Sequence, residues 1–419
     1  MKRGAVSGET GSLLLPLDVR DRARDRLERW TAQSSPSADA GGLDRMAQML
    51  VDEAGALGLV PRILREPDAD GRLLPLVELA TPELSAAPLL LLGHFDTVLP
   101  ATAPRLDGDR LFATGAMDMK GGIVAAFGAL ELLASRDVRA VDLRIVLTPD
   151  EEVAGEISRR AVERYGAAAR ALWVLEPGER AAAAETIVVG RRGLFQWRLE
   201  ARGRAAHAGA HFWNGRSATA AVAEWCVEAS ALSRPHDGPT VNVARIVGGD
   251  REFVEALSES ASRLGTPREL NVVPDRATVE GEVRFVGAGE EAALYEAMKD
   301  AARRIGEQSG VALTFRREAR VAPVDAGSLD RSWPERAIEC AAAAGWSLEV
   351  EPTRGGVSFP NFLPEPGRFP VLDGLGPVGG GMHTREEHVD LVSLERRITL
   401  LADLLELDIA AQESAPPTA

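Results

Sequence analysis

The sequence alternates short apolar runs with helix-forming segments, and this alternation restricts the fold more than any other feature. Buried strands are predicted at 89–92, 143–148 and 171–176, with a weaker one at "FPVLDGLG". Between the first two runs, "GGIVAAFGALELLAS" opens on two glycines and continues with residues that favour a helix. Strands that alternate with helices predict an α/β fold with a mixed, largely parallel sheet flanked by helices.

A different pattern begins at residue 191 and continues to about residue 318. Its predicted elements follow the order β-α-β-β-α-β, from the strand "LFQWRLEARG" to the strand "VALTFRREA". This order is typical of a ferredoxin-like α+β domain. We therefore expect one domain in two parts, 1–190 and 319–419, and a second domain, 191–318, inserted into it.

The composition indicates a globular protein that acts on small molecules. The net charge of −15 repels polyanions and argues against a nucleic-acid partner. No apolar run approaches the roughly 20 residues that span a bilayer, and the N-terminal run of leucines is too short for a signal peptide. No membrane partner is expected, and the expected location is the cytoplasm. Cys226 and Cys340 match no metal-binding spacing and are expected to be reduced and buried.

Residues that commonly bind metals stand where the predicted strands end. They are His94 and Asp96 after the first strand, Asp150, Glu151 and Glu152 after the second, Glu176 at the end of the third, His383 after the glycine-rich loop that follows the last, and Asp118 in the loop before the helix. Because ligands of open α/β sheets bind at the carboxyl ends of strands, these side chains are predicted to meet on one rim.

This set of residues suits a pair of metal ions. Two imidazoles and three carboxylates can hold two divalent ions such as zinc, with one carboxylate bridging them. Asp96 shares a strand face with His94 and can orient its imidazole. In "PDEEVAG", one glutamate can bind metal while its neighbour stays free as a general base. Each motif alone is common in proteins without metal, but their joint position predicts a hydrolytic site.

Seven motifs together resemble the zinc-dependent, two-metal family of amidohydrolases and exopeptidases that includes glutamate carboxypeptidase, acetylornithine deacetylase, succinyl-diaminopimelate desuccinylase and aminoacylase. In the family's order, they are "GHFDTVLP", "GAMDMKGG", "PDEEVAG", "LEPG", "GRAAHAG", "NVVPDRATVEGEVRF" and "GGGMHTREEHV". The resemblance covers nearly the whole chain. It implies the metallo-exopeptidase type of α/β fold, in which the inserted domain serves as a lid and dimerisation domain.

The resemblance also implies a set of metal ligands. His94 and Glu176 would hold one ion, and Glu152 and His383 the other. Asp118 would bridge the two ions and be followed by a cis peptide bond. The expected cofactor is therefore two divalent metal ions per subunit, with zinc first and manganese or cobalt as alternatives.

Further roles follow from the same resemblance. Glu151 would be the general base of hydrolysis by metal-activated water, with Asp96 aligning His94. His207 would stabilise the oxyanion in the active site of a partner subunit, which implies a homodimer or a higher homo-oligomer through the inserted domain. Asn271 and Arg284 match family positions that contact the substrate, Arg284 being suited to a carboxylate. Arg354, Gly355 and Gly356 are further residues expected to contact a small carboxylate-bearing substrate.

Three stretches depart from the family's pattern. An amphipathic insertion at 250–270 is either a surface elaboration or an element of specificity or assembly. In "RGGVSFPNF", Phe359 and Pro360 stand where relatives commonly carry an acidic residue. In "HAGAHFWNGRSA", Phe212 and Trp213 follow His207. These aromatic residues either form an apolar pocket for an aromatic substrate or are ordinary packing.

Three hypotheses for the function remain open at this stage. The first is hydrolysis of a C–N bond, the amide of an N-acyl amino acid or a small peptide. The second is hydrolytic deamination of an amino-substituted aromatic acid at the same site. The third is a non-catalytic binding relative, which predicts damaged ligands or a missing base.

Overall fold

The computed structural model describes residues 15–138, 141–153, 155–236, 238–254, 271–324, 332–364 and 370–413. The α-helices whose two ends both lie within these ranges are α1 Leu17–Ala32, α2 Ala40–Ala56, α3 Lys120–Ser135, α4 Glu156–Gly166, α5 Ala218–Ser230, α6 Ala288–Ser309, α7 Ser332–Ala343 and α8 Leu391–Glu413. None of the helices in the described part of the chain has the length and apolarity of a membrane span.

The strands within the same ranges vary from two to ten residues in length. They are β1 Val60–Pro67, β2 Leu73–Ala80, β3 Leu89–His94, β4 Arg105–Asp107, β5 Arg110–Phe112, β6 Leu143–Thr148, β7 Ala171–Val174, β8 Arg180–Ala181, β9 Ala184–Val188, β10 Gly193–Arg202, β11 Thr240–Gly249, β12 Arg276–Phe285, β13 Ala312–Val321, β14 Leu348–Glu351, β15 Val371–Leu372, β16 Gly379–Gly380 and β17 His388–Asp390.

The chain divides into two compact units. The larger unit comprises Met1–Val189, Ala326–Pro352 and Ser358–Ala419, and the smaller unit comprises Gly190–Asp325 and Thr353–Val357. The segment Thr353–Val357 therefore belongs to the smaller unit although both of its neighbours in sequence belong to the larger one.

The larger unit contains a six-stranded sheet in the order β1-β2-β6-β3-β7-β15. β3 pairs in parallel with β6 and β7, and β15 pairs in parallel with β7, whereas β2 is antiparallel to both β1 and β6. All six residues of β3 are buried, which is typical of a central parallel strand. Helices α2 and α4 pack against the sheet, and α3 packs against β3, α1 and α8. The prediction of a mixed, largely parallel sheet flanked by helices is confirmed.

The smaller unit contains an antiparallel sheet in the order β11-β12-β10-β13. Every second residue of β10 is buried, including Phe195 and Trp197, so one face of the sheet carries the core. Helices α5 and α6 pack against each other and against the sheet, and Trp225 of α5 lies edge-on to Trp197 with 5.0 Å between ring centroids. The element order and the strand order together confirm the predicted ferredoxin-like fold.

The two cysteines differ in burial. Both are free thiols, and Cys226 lies in the core of the smaller unit. Cys340, in α7, is only partly buried, so the expectation that both cysteines are buried is wrong for this one. Burial raises the pKa of both thiols.

The N-terminal turn of α3 approaches the end of β7 very closely. A Cβ atom on Gly122 would stand 2.0 Å from the carbonyl oxygen of Leu175, and one on Gly121 would stand 2.4 Å from the carbonyl oxygen of Ala116. Only glycine fits at such distances. The two glycines that open the predicted helix therefore allow α3 to pack directly against the loop that contains Asp118 and the strand end that precedes Glu176.

Replacing Gly122 by alanine is expected to force α3 away from β7. Overpacking of this kind costs about 1–3 kcal/mol of the free energy of unfolding. The matched control is Gly55→Ala in α2, because nothing lies within 4 Å of the Cβ position there, and this variant should gain up to about 1 kcal/mol. Urea unfolding measures both changes, and equal midpoints for the two variants would contradict this account of the packing.

A buried ion pair attaches α8 to β9. Arg397 is fully buried, and its Nε lies 3.1 Å from Oε2 of Glu185, which is itself 1% exposed. The remaining guanidinium nitrogens donate to the carbonyls of Gly374 and Thr186, and Ser393 Oγ donates to Glu185. Each charge is thus compensated by its partners, which is what makes such a pair tolerable away from water.

Glu185→Gln is expected to lower the free energy of unfolding by roughly 3 kcal/mol or more, because the Arg397 charge then stays buried without its counter-ion. The control is Glu163→Gln on α4, where the ion pair with Arg159 is exposed and its loss should cost less than about 1 kcal/mol. Urea unfolding curves of the two variants test this difference. A loss at Glu185 no larger than that at Glu163 would be incompatible with it.

Candidate metal centre

His94 is the last residue of β3 and is buried at the carboxyl edge of the parallel strands. Its Nε2 lies 3.1 Å from Oδ1 of Asp118 and 3.8 Å from Oε1 of Glu176. Its Nδ1 lies 3.3 Å from Oδ1 of Asp96 and 3.1 Å from the Asp96 carbonyl oxygen. Nε2 therefore faces the carboxylates of Asp118 and Glu176, and Nδ1 is held by Asp96.

Asp96 is completely buried and connects His94 to a second segment of the site. Besides lying against the imidazole, its carboxylate accepts hydrogen bonds from the backbone N–H groups of Glu151 and Glu152, both at 3.2 Å. It also accepts from Ser37 Oγ at 2.7 Å. The same carboxylate thus orients the histidine and fixes the 3₁₀ turn Glu151–Val153 that follows β6.

Asp118 lies between the two histidines. Its Oδ1 faces His94, and its Oδ2 lies 3.4 Å from Nε2 of His383. His383 Nε2 also lies 3.2 Å from Oε2 of Glu152. The peptide bond from Asp118 to Met119 is cis, as the resemblance implied. Each oxygen of Asp118 therefore lies near a different histidine, which is compatible with the bridging role that the resemblance implies.

Glu176 completes the group next to His94. Its carboxylate accepts a hydrogen bond from Ser358 Oγ at 3.2 Å. The next residue, Phe359, is fully buried, and the centroid of its ring lies 6.4 Å from that of the His94 imidazole. Phe359 is therefore packing behind the histidine, and its ring does not line an open aromatic pocket.

The pKa values reflect the crowding of negative charge. Burial raises the pKa of Glu152 to about 8, and burial followed by the charge of Glu176 raises the pKa of Glu151 well above its usual value. The hydrogen bond to Asp118 raises the pKa of His383 to about 9. These carboxylates thus lie in surroundings that favour either bound protons or bound cations.

The residues fit divalent cations. Ligand atoms of His94, Asp118 and Glu152 lie within 4.8 Å of one another, and so do those of His94, Glu151 and Glu176. Imidazole nitrogens and carboxylate oxygens suit zinc, manganese and cobalt. The second group includes Glu151, so geometry alone does not separate a ligand from a general base. The division between Glu151 and Glu152 stays a prediction from the resemblance.

His207 lies in the smaller unit and is exposed. Its Nδ1 accepts hydrogen bonds from the backbone N–H groups of Gly209 and Ala210, at 3.2 and 3.0 Å. In the neutral ring the proton is therefore on Nε2, which makes that atom a hydrogen-bond donor. Asn271 is adjacent, since its carbonyl oxygen accepts from Ala208 N at 2.6 Å.

Arg284 also lies in the smaller unit, together with the segment 354–356. Its guanidinium binds the Glu282 carboxylate at 3.0 and 3.3 Å and the Gly355 carbonyl oxygen at 3.2 Å. The structure thus joins two of the predicted substrate contacts to each other and gives Arg284 an intramolecular carboxylate partner, which the sequence did not predict. Arg354 is held through its backbone, which pairs with Gly190 and Arg192.

The other departures from the family's pattern have different outcomes. Phe212 and Trp213 are 50% and 86% exposed, with 5.2 Å between their ring centroids. They line an open cleft of about 250 Å³ in the smaller unit, so they are not core packing. The helical prediction for the insertion falls mainly on 255–270, which lies outside the described residues; 250–254 are described, and 251–254 are helical.

Sequence reasoning missed several residues that hold the site in position. Glu387 is buried and accepts three backbone N–H groups from the loop that contains Asp118. Ser37 and Ser358 donate to Asp96 and Glu176, as described above. Arg191 donates to the Gly356 carbonyl oxygen at 3.1 Å. Glu387 lies in the motif "GGGMHTREEHV" and Ser358 in the segment "RGGVSFPNF", and these positions were the signal that could have identified them. However, the composition of "TREEHV" is typical of an exposed turn, so it did not indicate a buried glutamate.

Comparison with known proteins identifies the family. Residues 90–407 match peptidase family M20/M25/M40. The chain is 27% identical over 330 residues to carboxypeptidase G2 of Pseudomonas sp. (strain RS-16), a match that covers 77% of this chain and 74% of that protein. It is 26% identical over 402 residues to succinyl-diaminopimelate desuccinylase of Gluconobacter oxydans (strain 621H), covering 87% and 95% of the two chains.

Solved structures agree on the fold. The crystal structure of aminopeptidase PepT from Bacillus cereus superimposes with a TM-score of 0.74 at 19% sequence identity and covers 92% of this chain and 98% of its own. At that identity the likeness concerns the fold alone. The family match extends over most of the chain, from β3 to α8, and thus includes all the residues of the metal centre. The chain belongs to peptidase family M20/M25/M40 and is a hydrolase that acts on carbon–nitrogen bonds.

Proposed function

We propose that the chain hydrolyses the amide bond of a small carboxylate-bearing substrate, an N-acyl amino acid or a short peptide. The observation that carries this proposal is the position of the Asp118 carboxylate, whose two oxygens face two different histidines. The proposed ligands are His94 and Glu176 for one divalent ion, Glu152 and His383 for the other, and Asp118 for both, with zinc preferred over manganese or cobalt.

The chemistry combines the ions with groups of the chain. When bound, the two divalent metal ions would lower the pKa of a water molecule toward roughly 7 and would polarise the scissile carbonyl. Glu151 accepts the proton of the attacking water and passes it to the leaving nitrogen. Burial, followed by the charge of Glu176, raises the pKa of Glu151; this supports the role, since a raised pKa suits a carboxyl group that serves first as base and then as acid. Asp96 keeps His94 and the turn of Glu151 in a fixed relation during these steps.

His207 is the proposed donor to the oxyanion. The two backbone N–H groups that bind Nδ1 support this role, because they leave the proton on Nε2. The family resemblance assigns such a histidine to the active site of a partner subunit, so we infer a homodimer or higher homo-oligomer through the smaller unit. Val227 of α5 and Ile246 of β11, which are 72% and 56% exposed on elements that pack together, supply apolar surface for such an interface.

Deamination of an amino-substituted aromatic acid is the second candidate. Phe359 gives it no support, because the ring is buried behind His94. The exposed rings of Phe212 and Trp213 favour it, since they offer an aromatic surface. A non-catalytic relative would have lost ligands or the base, whereas all six residues of the proposed centre are present in the larger unit.

Glu151→Gln is expected to lower kcat by about 10²–10⁴-fold, because the amide cannot accept a proton from water. Both ions should stay bound, since the proposed ligands are untouched. Turnover and the metal content by mass spectrometry are measured on the same preparation.

The matched control for this variant is Glu156→Gln, five residues further along the chain at the start of α4 and partly exposed. Its turnover and metal content should equal those of the wild type. Unchanged turnover in Glu151→Gln would remove Glu151 from the mechanism. Loss of an ion instead of turnover alone would make Glu151 a ligand.

Product analysis separates the two candidate reactions. Protein reconstituted with zinc, manganese or cobalt is incubated with N-acyl amino acids, dipeptides and amino-substituted aromatic acids. Amide hydrolysis releases an acid and an amine, whereas deamination releases ammonia and a hydroxylated product. We expect turnover of the amides, abolished by a chelator and restored by metal; ammonia release from the aromatic acids alone would favour the second candidate.

A further inference from the structure

Glu387 is a buried glutamate next to the metal centre, although it follows an exposed glutamate in sequence. Its side chain is bound by the backbone of the loop that contains Asp118. Oε2 accepts from Gly115 N at 2.8 Å, and Oε1 accepts from Met117 N and Asp118 N, both at 3.0 Å. Only 4% of the residue is exposed. A carboxylate that receives three backbone N–H groups away from water forms strong, charge-assisted hydrogen bonds.

The backbone of Glu387 strengthens the same connection. Its carbonyl oxygen accepts from Ala113 N at 3.0 Å, and the adjacent strand β17 pairs with β5. Residues 113–118 are therefore attached to Glu387 at four points, by one backbone and three side-chain hydrogen bonds. Because Glu387 stands four residues after His383, this attachment connects the loop of Asp118 to the loop of His383.

The connection bears directly on the geometry of one proposed ion site. His383 Nε2 lies 3.4 Å from Asp118 Oδ2, although the two residues are far apart in the chain. His383 has a left-handed backbone (φ 62°), and its side chain is 55% exposed, so packing holds its imidazole only in part. Its position relative to Asp118 thus depends on the hydrogen bonds that join the two loops.

We propose that Glu387 is a positioning residue that fixes Asp118 relative to His383 and thereby sets the affinity of the site formed by Asp118, Glu152 and His383. The proposal rests on the proposed ion-binding role of these three residues. Glu387 touches neither substrate nor ion in this account, and it acts only through the backbone of the Asp118 loop. Replacing a carboxylate that holds a metal ligand in position without touching the ion typically lowers metal affinity by about 10–100-fold.

Glu387→Gln is the test variant, because glutamine has the same shape but replaces one acceptor oxygen by an NH₂ donor that must face a backbone N–H. The matched control is Glu386→Gln, the same substitution at the preceding, exposed residue. Zinc binding to both metal-free variants and to the wild type is measured by titration calorimetry. Cobalt titration, followed by visible absorption, reports the geometry around each ion.

The wild type and Glu386→Gln should bind two ions, and Glu387→Gln should bind one of them about 10–100-fold more weakly, with an altered cobalt spectrum for that step. Urea unfolding of the metal-free proteins separates this effect from a structural one. A lower urea midpoint for Glu387→Gln with unchanged affinity for both ions would overturn the proposal.

If Glu387→Gln does not fold, Glu387→Asp, which keeps the charge on a shorter side chain, is titrated instead. Weaker binding of one ion by this variant supports the proposal, and binding of both ions as in the wild type overturns it.

These outcomes also separate this inference from the proposed function. A wild-type protein that binds no pair of ions would contradict the proposed metal centre itself. A wild type that binds two ions, together with a Glu387→Gln variant that binds both equally well, would leave the centre intact and remove only the role of Glu387.

Discussion

Repulsion among buried carboxylates is the constraint on which the rest of this structure depends. Asp118, Glu151, Glu152 and Glu176 lie around the imidazole of His94. Ligand atoms of His94, Asp118 and Glu152 lie within 4.8 Å of one another, and so do those of His94, Glu151 and Glu176. In water such groups would separate. Inside the protein, burial raises the pKa values of Glu152 and Glu151, and neighbouring carboxylates raise them further. The fold must therefore hold them together, and the proposed divalent cations would relieve the repulsion.

Rigid attachments of the backbone provide this restraint. Three parallel strands end at the same edge, so His94, the 151–152 turn and Glu176 meet without any long connection. Glycines at the start of α3 allow its first turn to approach the carbonyl before Glu176. Two buried carboxylates, Asp96 and Glu387, then bind backbone N–H groups of the turn and of the loop that carry the proposed ligands. Asp96 and Glu387 thus position the segments of the proposed ligands through backbone N–H groups, and the buried side chain of Lys120 interacts electrostatically with both carboxylates.

Much of the fold and of the candidate site was predictable from local sequence patterns. The runs at 89–92 and 143–148 became β3 and β6, and the order of elements after residue 191 gave the ferredoxin-like sheet. The proposed ligands lie together because strand ends in a parallel sheet share an edge. Other features depend on contacts between distant segments and have no local signal. Arg284 donates to the carbonyl oxygen of Gly355, 71 residues further along the chain, and Phe359 packs against His94; both contacts join residues whose proximity arises only after folding.

The sequence by itself determined where the central strands lie and which residues follow them, because apolar runs favour buried strands. Its glycine pair also determined the close packing of α3, because only glycine lacks the Cβ atom that would clash. It also determined the family, through seven motifs that occur in the family's order over most of the chain. Only the tertiary structure decided which of the many acidic residues are buried. Glu386 and Glu387 are identical neighbours in sequence, yet one faces solvent and the other binds three N–H groups beside Asp118. The reason is that burial of a charge depends on the hydrogen-bond donors around it, and these come from a segment about 270 residues away in the chain.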